Sequence, residues 1–208
     1  MNKVIVNNPA IDYFLAKFRD KKTDPYSCNI CVENISLFLA GEASKFLNTE
    51  ELNVVTPLGE KTCPIICEEV ILIPVLRAGV SMLSAFQRLL PFSKTGFVWA
   101  HRDYNFQAVI DKVKFPKAEN GIVDLKGKTV IVLDTMLATA GTVNATAEIV
   151  AKYNPRQIIC VSILATKEGI SNLSSQYSAI IAASDTDGLD LNKYIYPGVG
   201  DSGDRLYG

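Results

Sequence analysis

The sequence predicts an α/β domain built on a mostly parallel sheet. Three observations carry that reading. Short apolar runs of four to seven residues, β-branched and continuous instead of alternating, recur along the chain, as strands buried on both faces require. Helical stretches stand between most of them, and strand alternating with helix is the pattern of parallel α/β folds. The chain has 208 residues, enough for one domain with an excursion. At that size folding buries roughly 70% of the unfolded surface, so no disulfide or metal staple is needed.

The elements follow in order. Residues 10–20 and 28–47 carry helical spacing. In the second, Cys28, Cys31, Val32, Ile35, Phe38, Leu39 and Phe46 recur at three and four residues, one stripe of a helix. Thr56-Pro57-Leu58-Gly59 is a turn. The candidate strands are Val70 to Ile73, Phe97 to Ala100, Thr129 to Leu133, Ile158 to Leu164 and Ala179 to Ala182. Helices are expected near 79–90, 142–153 and 168–176. The polar segment 101–128, with Pro116, Gly121 and Gly127, reads as a surface excursion in the form of a β-hairpin. Tyr196 to Gly208 holds four glycines and a proline and reads as an irregular loop. The expected organisation is one domain over 1–208, with N-terminal helices in 1–50, a core over 68–185 and a C-terminal loop over 186–208. There is no internal repeat.

Composition narrows the function classes. Apolar residues make up 48% and charged residues 21%, which disfavours disorder, collagen and coiled coil. With 21 basic and 22 acidic residues the net charge is −1, so no basic surplus calls for nucleic acid or an anionic membrane. The start of the chain has neither the long apolar core nor the cleavage site of a signal peptide. No stretch approaches the ~20 apolar residues of a membrane helix. The cytosol is therefore the expected home, with the five cysteines reduced.

Three segments could carry chemistry. In Leu133-Asp134-Thr135-Met136-Leu137-Ala138-Thr139-Ala140-Gly141-Thr142 a buried strand ends in a carboxylate, and small and hydroxylated residues lead into a helix. Free backbone N–H groups then gather at the positive end of a helix dipole, where a phosphate is stabilised. Asp134 falls at the carboxyl end of its strand, where open α/β sheets bind ligands, and can accept hydrogen bonds from ribose hydroxyls. The bland alternative is an ordinary connection with Thr142 as N-cap. In Ile73-Pro74-Val75-Leu76-Arg77-Ala78-Gly79 a second strand runs into a tight turn. Arg77 offers a permanent planar fork suited to a diphosphate, and Gly79 lets backbone approach a ligand closely. In Tyr194-Ile195-Tyr196-Pro197-Gly198-Val199-Gly200-Asp201-Ser202-Gly203-Asp204-Arg205 three glycines fit Gly-x-Gly-x-x-Gly, but no strand follows, so a loop whose peptide groups face a small planar ligand fits better.

Two motifs mislead. His101-Arg102-Asp103 copies a kinase catalytic triplet without the other kinase segments, and His101 is read as structural. Cys28-x-x-Cys31 with Cys63-x-x-x-Cys67 copies zinc spacing, but the first pair falls on an apolar stripe, where reduced cysteine packs as a small hydrophobe.

Taken together, the segments resemble uracil phosphoribosyltransferase, a branch of the type I phosphoribosyltransferases, over nearly the whole chain. Phe18-Arg19-Asp20-Lys21 is similar to that family's opening stretch and Val55-Thr56-Pro57-Leu58 to a second. The Arg77 loop is similar to its diphosphate loop, Arg102 to its second arginine, 134–142 to its 5-phosphate loop and Pro197 to Arg205 to its uracil loop. The last is the most specific, and Leu133 before Asp134 also favours the uracil branch. The resemblance implies a three-layer fold with a C-terminal base-binding loop, and transfer of ribose 5-phosphate from 5-phosphoribosyl 1-diphosphate to uracil, giving UMP and diphosphate. It implies Mg²⁺, held mainly by the substrate diphosphate with no metal site on the protein, a homodimer or homotetramer, and GTP as a candidate activator. Asp134, Arg77, Arg102 and Asp201 become the candidate catalytic residues. Arg77, Ala78, Gly79, Arg102, Asp201 and the stretch from Asp134 to Thr142 would hold phosphoribosyl diphosphate, with Arg102 on a mobile loop. Ile195, Gly200, Asp201 and Ser202 would meet uracil.

Two positions depart from that pattern. Residue 135 is threonine where the family normally has proline, and residue 140 is alanine where it normally has glycine. If residue 140 needs φ > 0, alanine costs roughly 1 kcal/mol and tilts an amide of the phosphate loop. A weak or silent nucleotide-binding or regulatory relative is the alternative those two residues raise.

Overall fold

The computed structural model describes residues 1–103 and 107–208, and of Arg102 the backbone alone. In chain order the elements are β1 (Asn2–Ile5), α1 (Pro9–Arg19), α2 (Pro25–Ser44), β2 (Thr49–Thr56), β3 (Gly59–Ile66), β4 (Val70–Leu76), α3 (Val80–Leu89), β5 (Lys94–Thr95), β6 (Phe97–Arg102) and β7 (Ala108–Lys114). Then come β8 (Thr129–Leu133), β9 (Met136–Leu137), α4 (Gly141–Ala151), β10 (Gln157–Ala165), α5 (Lys167–Ser171), β11 (Tyr177–Ser184), β12 (Gly188–Leu189), β13 (Ile195–Tyr196) and α6 (Ser202–Tyr207).

The main sheet runs β1-β11-β10-β8-β4-β6-β7, with β5 beside β4 and β9 beside β10. Its pairings are parallel except β6 with β7. Alternate residues of each central strand serve two separate cores. Val70 and Leu72 of β4, Ile131 and Leu133 of β8, and Ala179 and Ile181 of β11 pack with α1, α2 and α3. Ile71 and Ile73, Val130 and Val132, and Ile180 and Ala182 pack with Val143, Ala147 and Val150 of α4. Both faces are covered, so the strands read as continuous apolar runs. The result is the expected three-layer α/β architecture.

Helix α2 starts before the apolar stripe does, because Asp24 caps it by accepting the Ser27 N–H at 3.0 Å and Pro25 stands at its first position. Cys28, Cys31, Val32, Ile35 and Leu39 are buried as the stripe predicts, whereas Phe38 is partly exposed. Cys28 and Cys31 belong to the main apolar core.

Several segments differ from the sequence reading. The antiparallel hairpin β2–β3 was not expected beyond its turn, since Leu52, Val55 and Leu58 are exposed and leave no core periodicity. Strand β1 precedes the helical spacing at 10–20 and falls in the 1–50 region assigned to N-terminal helices, where no strand is expected. The β6–β7 hairpin begins at Phe97, ahead of the expected excursion, and Phe115 and Leu125 after it are buried. The helix expected near 168–176 is a single turn, α5. Tyr196 to Gly208 is not irregular throughout. Asp201 caps α6 by accepting the Asp204 N–H at 3.0 Å, and the Gly208 N–H closes the helix on the Asp204 carbonyl at 2.8 Å. One and a half turns are too few for a period to show in sequence. Among the described residues no helix is long and apolar enough to cross a membrane.

Candidate functional site

The carboxyl ends of β4 and β8 open onto a cavity of about 510 Å³. Its walls come from the loop after β4, the loop after β8, the segment around β13 and α6, and the hairpin residues Ala100, His101 and Asp103.

In the first wall, the Leu76–Arg77 peptide is cis. Arg77 and Ala78 line the cavity. Gly79 lies behind them, where the turn meets the neighbouring strand. A side chain there would put Cβ 2.3 Å from the Leu133 carbonyl and 2.7 Å from that of Val75, so glycine is needed for the turn to close on the neighbouring strand. Arg77 reaches across the opening, and its Nη2 donates to Asp204 Oδ1 of α6 at 2.7 Å.

The second wall begins at Asp134, whose N–H bonds the Val161 carbonyl at 3.1 Å. Thr135 is fully buried. Its carbonyl accepts the Ile163 and Leu164 N–H groups, and its hydroxyl donates to Ser202 Oγ at 2.9 Å. That side chain therefore ties the loop to the base-loop wall. The Leu137 carbonyl accepts the Thr166 N–H and the Ala138 carbonyl accepts the Thr166 hydroxyl at 2.6 Å. Behind them, Gly169 sits so close that a Cβ would lie 2.5 Å from the Ala138 carbonyl. The loop is thus clamped from below by α5. Thr139 completes the turn into Ala140, which has φ 70° and ψ 0° and is the N-cap of α4 in place of Thr142. No side chain caps this helix. Asp134, Met136, Leu137, Ala138, Ala140, Gly141 and Thr142 ring a small recess there. The helix dipole and first-turn amides make that recess attractive to an anion. The Tyr177 hydroxyl donates to the Val143 carbonyl at 2.6 Å and pins the same turn to the sheet. Burial pushes both the Tyr177 hydroxyl and the Cys160 thiol well up, with the Asp134 charge adding to each. Both stay protonated beneath the site.

The third wall is held by two arginines. Arg19 at the end of α1 pairs with Asp187 at 2.5 Å and donates to the Gly198 carbonyl at 3.4 Å. Arg205 donates to the carbonyls of Val199 at 3.2 Å and Asp20 at 2.9 Å. Gly198 and Gly200 have φ 49° and 76°, which suits glycine. Ile195, Gly200, Asp201 and Ser202 all line the cavity. The expected role of the Arg102 side chain lies outside the described residues; its backbone ends β6 beside this opening. The sequence reading set aside His101 and did not single out Asp103, Lys193 or Tyr194, which also line the cavity. His101 Nδ1 lies 2.8 Å from Asp111 Oδ2 across the hairpin. Position next to Arg102 was the available signal for His101 and Asp103, and position next to Ile195 in the C-terminal segment for Tyr194; Lys193 gave none.

The arrangement places a fixed cation at one side, an uncapped helix N-terminus at another, a strand-end carboxylate with them and a peptide-lined slot opposite. It suits a molecule with two anionic ends, hydroxyls between them and a flat ring. Among the described residues no three His, Cys, Asp or Glu side chains group as a protein-held metal requires.

Comparison with known proteins gives the same direction. A family profile described as uracil phosphoribosyltransferase matches residues 5–208. A uracil phosphoribosyltransferase of Kocuria rhizophila is 33% identical over 213 aligned residues, covering 100% of this chain and 99% of its own. One from Campylobacter jejuni is 31% identical, covering 97% and 96%. Among solved structures, the AQ2163 protein of Aquifex aeolicus superposes with a TM-score of 0.89 at 30% identity, covering 99% of this chain and 97% of that one. A hypoxanthine-guanine phosphoribosyltransferase of Bacillus anthracis shares the fold alone, with a TM-score of 0.52 at 15% identity over 74% and 78% of the two chains.

Proposed function

The chain belongs to the uracil phosphoribosyltransferase family, and from that premise we propose how its own residues transfer ribose 5-phosphate from 5-phosphoribosyl 1-diphosphate to uracil in pyrimidine salvage. The observation that supports the reading is the convergence of the Arg77 loop, the Asp134–Thr142 loop and the base loop on one cavity.

The amides from Ala138 to Thr142 hold the 5-phosphate at the uncapped start of α4, and Asp134 accepts the ribose hydroxyls. Arg77 and Arg102 take the diphosphate; for Arg77 this means exchanging Asp204 for the substrate. Mg²⁺ bound to the substrate diphosphate would supply charge neutralisation there, beside Arg77 and Arg102. Departure of diphosphate from C1′ builds positive charge on the sugar and negative charge on the leaving group. The arginines stabilise the second and a nearby carboxylate the first. Ile195, Gly200 and Ser202 meet uracil, and Asp201, besides capping α6, stands between the sugar and diphosphate ends. A backbone amide and carbonyl that read the 4-oxo and N3–H edge reject cytosine, whose donor and acceptor are reversed there and leave buried groups unpaired.

The test is UMP formation from labelled uracil, phosphoribosyl diphosphate and Mg²⁺, with cytosine, orotate and hypoxanthine in parallel. Product from uracil alone supports the reading; product from another base, or from none with folded protein, sinks it. The left-handed Ala140 favours the second reading, a weak or silent nucleotide-binding relative. A melting temperature that fails to rise with phosphoribosyl diphosphate and Mg²⁺ would favour that relative. GTP activation, a dimer or tetramer and a cytosolic home belong to the same proposal. Rates with added GTP, size in solution and cell fractionation read them.

A further inference from the structure

We infer that Thr135 is a positioning residue for the base, acting through Ser202, and not a ligand of the phosphate. The inference rests on the functional reading above. Thr135 follows Asp134 on the phosphate side of the cavity, yet its hydroxyl donates to Ser202 Oγ on the base side at 2.9 Å. Thr135 is 0% and Ser202 5% exposed, so water does not compete for the bond and its geometry is fixed. Both residues line the cavity.

The direction of the bond decides its chemistry. A serine hydroxyl has one proton and two acceptor positions. With one acceptor position filled by the Thr135 proton, the Ser202 proton must point elsewhere. The backbone around Ser202 is already committed. Its neighbour Asp201 caps α6, and on the other side any side chain at Gly203 would bring Cβ to 3.2 Å from Arg77 Nη2. The open direction is the cavity. Thr135 thus makes Ser202 an oriented donor for an exocyclic oxygen of the base, and an oxo group is accepted there where an amino group is refused. A hydrophobic residue at 135 would remove the partner that fixes the serine hydroxyl rotor, and the preference for an oxo group would weaken. The same bond joins the sugar-phosphate loop to the base loop across the cavity, so the two walls are set at a fixed spacing before either substrate arrives.

Thr135→Val, Thr135→Ser, Ser202→Ala and the double variant Thr135→Val/Ser202→Ala test this by steady-state kinetics. Valine keeps the shape of threonine and removes its hydroxyl, donor and acceptor alike. Thr135→Val is expected to raise the KM for uracil about five- to tenfold while the KM for phosphoribosyl diphosphate stays within about twofold. Thr135→Ser should restore the uracil KM. The double variant should be no worse than Ser202→Ala, because the two changes break one interaction. An equal rise in the KM for phosphoribosyl diphosphate, or additive effects in the double variant, would overturn the inference. If Thr135→Val does not fold, Ser202→Ala with Thr135→Ser decides it. An unchanged uracil KM in the alanine variant then counts against it. Wild-type protein that converts uracil while all variants match it overturns this inference alone. Wild-type protein that converts no base overturns the functional reading and this inference with it.

Discussion

Arg77 and Asp204, 127 residues apart in the chain, meet at 2.7 Å across the mouth of the cavity. Their side chains are 60% and 68% exposed. A pair so open to water is worth little to stability. It holds the arginine in an extended pose over α6, poised to be exchanged for a stronger anion.

Arg77→Ala is therefore expected to separate function from folding. Turnover efficiency with uracil should fall at least about 10²-fold, because the charge on the departing diphosphate loses a fixed partner. The melting temperature should move by no more than about 2 °C. Near-normal rates would remove Arg77 from the site; a large loss of stability would make it structural.

Gly79→Ala is expected to do the reverse. The new methyl would meet the Leu133 carbonyl at 2.3 Å, and backbone on a central strand cannot yield. A cost of at least about 2 kcal/mol follows, read as a fall of roughly 5 °C or more in thermal unfolding. An unshifted transition would mean that the β4 turn opens without penalty.

Ala140→Gly should stabilise the protein. Alanine at φ 70° sits in a region that costs L-residues about 1–2 kcal/mol, and glycine removes that strain while adding some chain entropy. The net gain is about 0.5–1 kcal/mol, or roughly 2 °C in thermal unfolding. The KM for phosphoribosyl diphosphate should stay within about twofold, since Ala140 already holds the left-handed backbone that glycine would take and the first amides of α4 do not move. A lower melting temperature would show that the alanine methyl contributes more by packing than the backbone loses.

Asp24 gives a pH signature. The Ser27 N–H and hydroxyl hold its carboxyl below the usual range. A depressed acid contributes its stability above the unfolded value, near about pH 4, and loses it as pH falls through the folded value. Asp24→Ala should therefore melt below wild type at pH 7 and pH 5, with the gap narrowing at pH 3. A constant gap would show that the cap acts without its charge.

The central strands, the helices that cover them and the three loops of the site were readable because each is local. Ile71 to Ile73 or Val130 to Leu133 buries two faces by itself, and Asp134 or Arg77 is placed by the strand before it. What stayed hidden depends on residues far apart. Nothing near Gly79 in sequence names the Leu133 carbonyl that requires it. Thr135 looks like one more hydroxyl of a phosphate loop until Ser202 is brought beside it. The β2–β3 hairpin escaped because Val55 and Leu58 face water, and α6 escaped because its cap and its end lie too close together for a period.

Strand β1 has a consequence for how the chain is assembled in time. It pairs in parallel with β11, Asn2 opposite Ala179 and Ile5 opposite Ala182. During synthesis β1 emerges long before its partner exists, and it must wait, unpaired, until nearly the whole sheet has been made. Early strands left open in this way are the ones that nascent chains shield or misplace. Closing so wide a loop slows folding more than it weakens the finished protein. Trimming β1 should therefore leave the strands around the cavity paired while removing one of the last steps of folding.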